Sequence, residues 1–248
     1  MLNKFLQIAE NASDHGHYID SMLELVHWFM LILFIGWSCF FFYTLYRFSK
    51  KRNPKASYHG ARSKASTHAE VGVVVVEAML LLGFAIPIWG SRVNDFPEGD
   101  NVVRVRVVAE QFGFNIHYPG ADGVFGRVDA SLVSAANKIG LDREDEAAKD
   151  DIVTFNALHL PVGQPAILQL SSKDVIHNFA LYTMRTAQDM IPGSEIPLWF
   201  TPIKTGEWEV ICGQLCGNGH YAMKAMLTVE AASDFQNWLD GQAPAPAQ

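Results

Sequence analysis

The 248-residue chain contains little charge and few cysteines. Asp, Glu, Lys and Arg make up only 18% of the residues, whereas hydrophobic residues make up 49%. This composition excludes an ordinary soluble domain throughout and indicates membrane-spanning segments. The net charge of −7 argues against nucleic acid as a partner. The sequence also lacks an internal repeat, a phosphate-binding glycine loop and a paired nucleophile and base, so nothing indicates phosphoryl transfer or covalent hydrolysis.

Two long apolar stretches predict membrane spans. Leu25–Tyr46 contains His27 as its only ionisable residue, and a helix of that length reaches about 33 Å, enough to cross the hydrocarbon core. Val71–Trp89 is slightly shorter and contains Glu77. Aromatic ends and the absence of polar periodicity in the first stretch disfavour a buried helix pair in a soluble protein. We therefore predict a transmembrane helical hairpin over residues 23–90.

Charge predicts the orientation of this hairpin. Between the spans, residues 47–64 contain no acidic residue and several basic ones, namely Arg47, Lys50, Lys51, Arg52, Lys55, Arg62 and Lys64. Because positive loops stay in the cytoplasm, both termini and an arm over residues 1–22 should lie on the outer side. From Ser91 onward, 11 basic and 20 acidic residues give a formal charge of −9. That acidity provides either solubility or a docking field for a basic partner.

Beyond the spans, short alternating stretches predict an all-β domain over residues 91–231. Residues 102–108 combine valine and arginine in alternation, and further apolar stretches bounded by turn residues follow. This pattern is typical of a small β-sandwich or barrel. The acidic run at residues 129–151 interrupts it, and we expect a solvated insertion with a short helix at Ala130–Ile139. Residues 232–248 are expected to form a C-terminal tail.

Four potential metal ligands lie within twelve residues: Cys212, Cys216, His220 and Met223. His177 lies upstream, in a separate predicted strand. Thiolates, imidazoles and a thioether are soft or borderline ligands, which suit copper and not magnesium or calcium. A blue-copper site uses one cysteine, two histidines and a methionine, so the additional cysteine here would allow two thiolates to bridge a pair of coppers. Such a pair has no open position for a substrate and would act as an electron relay.

Other interpretations of the cysteine pair stay open at this point. Two cysteines four positions apart could form a disulfide, half of a zinc site or two core thiols. Zinc is the strongest of these alternatives, because two cysteines and two histidines are a common structural set. The spacing differs from that of a zinc finger, however, and Met223 has no role at zinc. Cys39, in the middle of the first span, is expected to be a packing residue.

Taken together, these segments resemble subunit II of the haem–copper cytochrome c oxidases. The likeness extends from the first span to about Ala231 and depends on the order of two spans, a β domain and the two-cysteine loop. Further matching segments are Leu158–Gly163, Ser172–His177 and Asp189–Gly193. The resemblance implies a two-helix transmembrane hairpin followed by an all-β, cupredoxin-like Greek-key sandwich or barrel.

The resemblance also implies a binuclear CuA centre. Its ligands would be Cys212 and Cys216 bridging both coppers, His177 and Met223 at one copper, and His220 and the backbone carbonyl of Gln214 at the other. Relatives usually carry glutamate where this chain has Gln214, and that carboxylate helps to hold a magnesium or manganese ion at a subunit interface. A neutral amide is a weaker ligand for a hard cation, so we do not expect this Mg/Mn site here.

Activity and partners follow from the same resemblance. The chain would take up electrons from cytochrome c, or from a cytochrome c domain of another respiratory complex, and pass them to haem in subunit I. Oxygen would be reduced to water there and protons translocated, so haem and CuB would belong to subunit I alone. Subunit III and membrane lipid would be further partners. We expect a multi-pass protein of the bacterial inner membrane with its CuA domain on the periplasmic side.

Some further residues correspond to functional positions of the family. Phe112, in the run Gln111–Phe114, stands where relatives have a tryptophan at the surface that receives electrons; plain packing is the alternative. Glu70 stands at the cytoplasmic start of the second span, where relatives place a glutamate at a proton-uptake route. Glu77 lies on the same helix face and either extends a polar path or makes a hydrogen-bonded helix contact. Asp174 either orients the copper loop or is a surface acid.

Proteins of other classes share part of this pattern. A quinol oxidase subunit II has the spans and the fold but lacks the copper ligands, whereas all five ligand side chains are present here. A membrane-tethered copper carrier or sensor would need exposed, exchangeable ligands, and a purely structural protein would need none. Copper binding and its spectroscopic signature therefore discriminate among these alternatives.

Overall fold

The computed structural model describes residues 5–55, 58–59 and 63–244. The chain forms two compact units. One is helical and consists mainly of residues 18–94, and the other contains residues 9–17 and 95–248. Arg62 of the basic loop, residues 1–4 of the arm and residues 245–248 of the tail lie outside the described residues.

The helical unit contains two helices long and apolar enough to cross a membrane. Helix α1 spans Gly16–Arg47, which is 32 residues or about 48 Å. The second runs without interruption from Ala65 to Val93 and comprises α2 (Ala65–Leu80), a π-helical turn (Leu81–Ala85) and α3 (Ile86–Val93). In the most apolar window of each helix no residue is buried within the chain. Both predicted spans lie inside these helices, and the two-helix part of the predicted fold is confirmed.

Proline explains the π-helical turn. Pro87 has no backbone N–H, and its ring would collide with the carbonyl of Gly83 in a regular α-helix. The backbone widens directly before it, so Ile86 N–H donates to Leu81 O, five residues back. Such one-turn bulges keep a helix continuous around a residue that cannot make the normal hydrogen bond.

The second unit is a β-sandwich of two five-stranded sheets, which confirms the predicted cupredoxin-like fold class. The strands in the described residues are β1 (Val103–Glu110), β2 (Gly113–Tyr118), β3 (Ile152–Phe155), β4 (Ala157–Pro161), β5 (Ala166–Ser172), β6 (His177–Leu181), β7 (Thr186–Met190), β8 (Ile196–Phe200), β9 (Gly206–Cys212) and β10 (Lys224–Glu230). The first sheet has the order β3-β2-β1-β5-β8 and the second the order β4-β10-β9-β6-β7. The pairs β1–β5 and β4–β10 are parallel, and the other pairs are antiparallel.

The two sheets enclose a common apolar core. Val105 and Val107 of β1 are completely buried, whereas Arg104 is exposed and Arg106 is half-buried, as the alternation in the sequence predicts. Phe114 of β2 and Phe179 of β6 meet edge-to-face across the sandwich, with ring centroids 6.1 Å apart. Each fully buried side chain of this size contributes about 1.5–3 kcal/mol to stability.

The acidic run at residues 129–151 is not the solvated insertion that we expected. Ile139, Leu141 and Ala148 are buried and form a small cluster of their own. This cluster packs against Val108 of β1 and Val153 of β3, and therefore covers the outer face of the first sheet. The apolar residues scattered among the charges are too few to show a period, which is why the sequence pattern did not reveal their burial.

Several carboxylates of this segment accept backbone hydrogen bonds that hold its turns. Asp129 accepts from Ser131 N–H (2.7 Å), and Asp145 accepts from Arg127 N–H (2.8 Å). The predicted helix over Ala130–Ile139 is limited to one 3-10 turn at Ala130–Leu132, which Asp129 caps. These carboxylates stabilise a compact loop, because each accepts a hydrogen bond from a backbone N–H group that has no partner in a helix or sheet.

A buried hydrogen-bonded pair of side chains connects the end of this segment to the first sheet. Asp151 Oδ2 accepts hydrogen bonds from His117 Nε2 of β2 (2.7 Å) and from Gly126 N–H (2.9 Å). Both side chains of the pair are completely buried. Burial lowers the pKa of His117 below its ordinary 6.5, although the Asp151 carboxylate acts in the opposite direction. His117 is therefore a neutral donor at physiological pH.

This pair predicts a pH dependence of stability. Below pH 6.5, His117 binds a proton readily in the unfolded chain but not in the folded chain. The contribution of neutral His117 to the free energy of unfolding is therefore fully present above pH 6.5 and is lost as the pH falls below that value. For one proton the slope is at most about 1.4 kcal/mol per pH unit. Denaturant unfolding between about pH 7.5 and 5 measures this slope. His117→Gln should give a shallower slope, and an unchanged slope would assign the effect to other groups.

The segment Ala9–His17 is part of the sandwich unit. Ala12 N–H donates to Thr183 O (2.8 Å), and Ile203 N–H donates to Ala12 O (2.8 Å). The segment is thereby bonded on two sides before α1 begins at Gly16. The predicted N-terminal arm is thus folded against the β domain over these residues.

The predicted C-terminal tail begins with a packed helix. Helix α4 spans Ala232–Asp240 and buries Phe235 against the sandwich. Trp238 stacks on the ring of His159 in β4, with centroids 3.9 Å apart and planes inclined by 8°. Residues 232–240 therefore belong to the folded domain, and their assignment to a tail is wrong.

Candidate metal centre

Strands of the second sheet bring the predicted ligands to one place. β6 begins with His177 and β9 ends with Cys212, and these two strands are neighbours in the sheet. β10 starts directly after Met223 and pairs with β9, so Cys212 N–H donates to Met223 O (3.1 Å). His177 consequently lies beside Cys212 although 35 residues separate them in the sequence.

The two cysteines form the centre of the cluster. Cys212 Sγ and Cys216 Sγ lie 3.7 Å apart, and both cysteines are buried and free. Two sulfurs at this separation can bind the same ion, because two metal–sulfur bonds of about 2.3 Å reach up to about 4.6 Å. The structure therefore contains two facing thiols and no disulfide at this position.

Four further donor atoms surround the sulfurs, on the side chains and the carbonyl that the sequence analysis named. Their distances are 3.9 Å from His177 Nδ1 to Cys212 Sγ, 3.2 Å from Gln214 O to Cys212 Sγ, 3.6 Å from His220 Nδ1 to Cys216 Sγ, and 3.7 Å from Met223 Sδ to Cys216 Sγ. His177 and Met223 are buried like the cysteines. All six predicted donor atoms thus converge.

The two imidazoles lie at different sulfurs. His177 Nδ1 and the two sulfurs are all within 4.8 Å of one another, and among the described residues His220 is not part of this group. The cluster offers six donor atoms, more than one tetrahedral ion takes. The thioether among them favours copper over zinc.

Asp174 fixes the orientation of His177. His177 Nε2 donates to Asp174 Oδ1 (2.8 Å), so the lone pair of Nδ1 faces Cys212 Sγ. Asp174 also accepts the backbone N–H groups of Val175 and Gln111, each at 2.7 Å. Of the two roles that the sequence left open for Asp174, the structure favours orientation of the ligand, because the carboxylate holds both the ring and the adjacent backbone.

Burial affects the protonation of the groups beside the sulfurs. Burial, followed by the neighbouring Cys212, raises the pKa of the Cys216 thiol to about 11. Metal binding therefore has to displace a proton from Cys216. Burial by itself would raise the pKa of Asp174, but hydrogen bonds from His177, Gln111 and Val175 outweigh it and lower this pKa. Asp174 is thus a carboxylate at neutral pH and keeps His177 Nε2 protonated.

Phe112 lies against the two-cysteine loop, in the turn between β1 and β2. A methyl group on Gly219 would lie 2.5 Å from Phe112 Cδ2, and one on Gly217 would lie 3.1 Å from Phe112 Cζ, so the ring covers both glycines. The side chain is still 39% exposed, and Leu215 at the tip of the loop is 80% exposed. Both interpretations of Phe112, packing and surface contact, are compatible with this position.

One contact of the loop was not predicted. Gln111 Nε2 donates to Cys216 O (2.6 Å), which connects the β1–β2 turn to the loop that carries both cysteines. The only signal in the sequence was the position of Gln111 beside Phe112. A glutamine in a turn does not reveal which carbonyl it will meet after folding.

Glu70 and Glu77 are not brought together with this cluster. Both lie on α2, which belongs to the helical unit, and both side chains are exposed in the chain. They are seven residues apart and thus share a helix face, separated by about 10 Å along the axis. Their roles in proton uptake stay predictions.

Comparison with known proteins agrees with this geometry. A family model described as the periplasmic domain of cytochrome c oxidase subunit II matches residues 136–231, the range that includes all six donor positions. The chain is 36% identical over 227 residues to the alternative cytochrome c oxidase subunit 2 of Bradyrhizobium diazoefficiens, a match covering 91% of the chain and 80% of the relative. It is 24% identical over 234 residues to cytochrome c oxidase subunit 2 of Cereibacter sphaeroides, covering 87% and 75%.

Two solved structures from oxidases match part of the chain. The periplasmic domain of subunit II of cytochrome oxidase from Bradyrhizobium japonicum matches at 25% identity and a TM-score of 0.42, over 58% of this chain and 94% of that domain. A chain in a heme-copper terminal oxidase dimer matches at 20% identity and a TM-score of 0.41, over 66% and 99% of the respective chains.

Proposed function

Because the chain belongs to the cytochrome c oxidase subunit II family, we propose that it is the subunit through which electrons reach the haem of a respiratory haem–copper oxidase. It would accept them from cytochrome c and deliver them to subunit I, where oxygen is reduced to water and protons are translocated. The observation that carries this proposal is the convergence of two free, facing cysteines with a histidine at each sulfur. A purely structural chain would have no need for that donor set.

The separations of the donor atoms support the ligand assignment that we propose. Cys212 and Cys216 would be shared by both coppers of a CuA centre, with His177 at one end of the cluster and His220 at the other. Met223 and the carbonyl of Gln214 would complete the set. A copper pair bound there supplies transfer of one electron at a time, with the charge shared between two metals.

The residues of the chain hold most of this set in place. His177, Cys212 and Met223 are buried at or beside the ends of strands, where the backbone is tied by sheet hydrogen bonds, and Cys216 is buried in the loop after β9. Asp174 keeps the His177 ring from rotating. Ligands that cannot move make electron transfer easy, because little rearrangement accompanies a change of charge. The same burial argues against a copper carrier, whose ligands must release the metal.

Contacts with partner proteins are proposed at two surfaces. The ring of Phe112 and the exposed Leu215 flank the cysteines and would form the apolar centre of a docking surface for cytochrome c. The formal charge of −9 beyond Ser91 would attract a basic donor of that kind. Subunits I and III would contact the membrane helices. The side chain of Gln214 is exposed and neutral, so we propose that the chain supplies no carboxylate for an interface Mg/Mn ion.

The membrane orientation follows from charge. The basic loop between α1 and α2 would lie in the cytoplasm, and both termini and the sandwich on the periplasmic side of a bacterial inner membrane. The proposed domains are the membrane hairpin over residues 23–90 and the copper domain from residue 91 onward. We assign α4 to the copper domain, and we add to it the segment Ala9–His17 from before the first span.

Copper loading of the full chain in detergent tests the proposal. We expect a purple protein that binds two coppers and whose paramagnetic resonance spectrum shows one unpaired spin shared by two equivalent copper nuclei. A blue protein with the spin on one nucleus would contradict the pair. A colourless zinc protein, or a chain that co-purifies with an oxidase that accepts electrons from quinol only, would contradict the electron-relay role.

The two glutamates of α2 allow a paired prediction. Glu70→Gln should slow oxygen reduction and proton uptake by the intact oxidase, because Glu70 would lie at the cytoplasmic mouth of a proton route. Glu77→Gln, on the same helix face, should leave both rates unchanged if it makes only a hydrogen-bonded helix contact. Turnover and proton uptake in reconstituted vesicles measure both effects. Equal rates for Glu70→Gln and the unsubstituted chain would remove the proton-uptake role.

A further inference from the structure

The β1–β2 turn contacts both halves of the metal centre through a single residue. The side chain of Gln111 donates from Nε2 to Cys216 O (2.6 Å), on the loop that carries both cysteines. The backbone N–H of the same residue donates to Asp174 Oδ2 (2.7 Å), on the segment that leads into His177. These two segments come from different parts of the chain, and Gln111 joins them directly.

The second of these bonds continues to a metal ligand. Asp174 uses Oδ2 for Gln111 and Oδ1 for His177 Nε2 (2.8 Å), so one carboxylate receives both groups. A continuous chain of hydrogen bonds therefore runs from the carbonyl of Cys216 through Gln111 and Asp174 to the imidazole of His177. It joins two ligand residues through Cys216 O and His177 Nε2, atoms that are not among the proposed donors.

The loop needs such a support because its own backbone bonds are few. Gly213, Gln214 and Leu215 are exposed, as are Gly217 and Asn218, and the loop has no strand partner at Cys216. The ring of Phe112 rests on the glycines after Cys216, which brings the turn close enough for Gln111 to reach the carbonyl. Without a metal, the bond from the Gln111 side chain holds the Cys216 backbone to the β1–β2 turn.

We propose that Gln111 is a positioning residue that sets the separation between Cys216 and His177 before the metal binds. The inference rests on the proposed copper pair and adds a residue that is not a ligand. Its side chain must donate to a carbonyl, so an acceptor or an apolar side chain of similar length cannot replace it. Loss of the bond should loosen the cysteine loop and thereby alter the distribution of charge between the two coppers.

The test compares Gln111→Met with the unsubstituted full chain in detergent. Methionine is similar in length but cannot donate a hydrogen bond. We expect copper retention against a chelator to fall by about tenfold, the lower end of the effect of losing an outer hydrogen-bond partner of a metal site. We also expect a shifted reduction potential and unequal coupling of the spin to the two copper nuclei. In the copper-free chain, the amide protons of residues 213–219 should exchange faster.

Control variants separate this role from general stability. Gln236→Met makes the same chemical change on the exposed face of α4, outside the two-cysteine loop and after the last ligand Met223, and should leave potential, spectrum and copper retention unchanged. If Gln111→Met does not fold, Gln111→Glu replaces it in the comparison. Glutamate has the size and polarity of glutamine, but its carboxylate cannot donate a hydrogen bond to Cys216 O, so the same losses are expected. A folded variant at position 111 with the potential, hyperfine pattern and copper retention of the unsubstituted chain would overturn the inference.

Failure of this inference is distinguishable from failure of the proposed function. If the unsubstituted chain binds no copper pair, the proposed function fails before any variant is compared. If the unsubstituted chain binds the pair and the variants at position 111 are indistinguishable from it, only the positioning role of Gln111 is wrong.

Discussion

Cys216→Ser is expected to abolish the two-copper spectrum and to lower oxidation of cytochrome c by the intact oxidase by at least about a hundredfold. Even residues that only orient metal ligands are worth about 10- to 100-fold in metal affinity or activity, and Cys216 would be a ligand itself. Its sulfur lies 3.7 Å from both Cys212 Sγ and Met223 Sδ and 3.6 Å from His220 Nδ1.

The physical reason is the change of donor atom. A serine hydroxyl is a hard, neutral donor that stays protonated, so it cannot share charge between two coppers as a thiolate does. One soft bridge would be left, from Cys212, and the pair would separate into inequivalent ions or lose one. We expect the spin to localise on a single copper nucleus, or to disappear with the metal.

Cys39→Ser is the matched control for this experiment. Cys39 is the third cysteine of the chain and lies in α1, where it is free and exposed. The same sulfur-to-oxygen change there should leave copper content, spectrum and turnover unchanged. If Cys216→Ser retained the spectrum of the unsubstituted chain, bridging by two cysteines would be wrong. Metal analysis together with paramagnetic resonance and oxygen-uptake measurements supplies all three readouts.

Asp151→Ala is expected to lower the free energy of unfolding of the sandwich by about 2–6 kcal/mol, because two buried donors would each lose their acceptor at a cost of about 1–3 kcal/mol. The carboxylate has no exposed surface and accepts two hydrogen bonds, from His117 Nε2 and Gly126 N–H. Both donors would be left buried without a partner, and the alanine would leave a cavity.

Denaturant unfolding followed by tryptophan fluorescence measures this loss. Asp100→Ala, at an exposed turn before β1, removes a carboxylate without removing a buried contact and should change stability by less than about 0.5 kcal/mol. A small effect of Asp151→Ala, equal to that of Asp100→Ala, would mean that the acidic segment is loosely attached. Copper spectra should be unchanged in both variants, because neither position contacts the donor set.

The acidic segment shows where local sequence patterns were insufficient. Seen as a run of charges, residues 129–151 predicted a solvated insertion, yet the structure buries Ile139, Leu141 and Ala148 beneath it and places Asp151 in the interior. Composition reports the average of a segment, whereas burial is decided by a few side chains that find partners on another strand. The same reason explains α4, whose Phe235 and Trp238 pack against residues distant in sequence.

The sequence by itself determined the spans, the β character of the second unit and the donor atoms of the metal centre. Helix length, strand alternation and ligand softness are properties of neighbouring residues or of single side chains, and they survive any arrangement in space. Only the tertiary structure decided that His177 and His220 lie at different sulfurs, and that Gln111 connects Cys216 with Asp174. Those relations depend on the register of strands far apart in the chain, which no local pattern specifies.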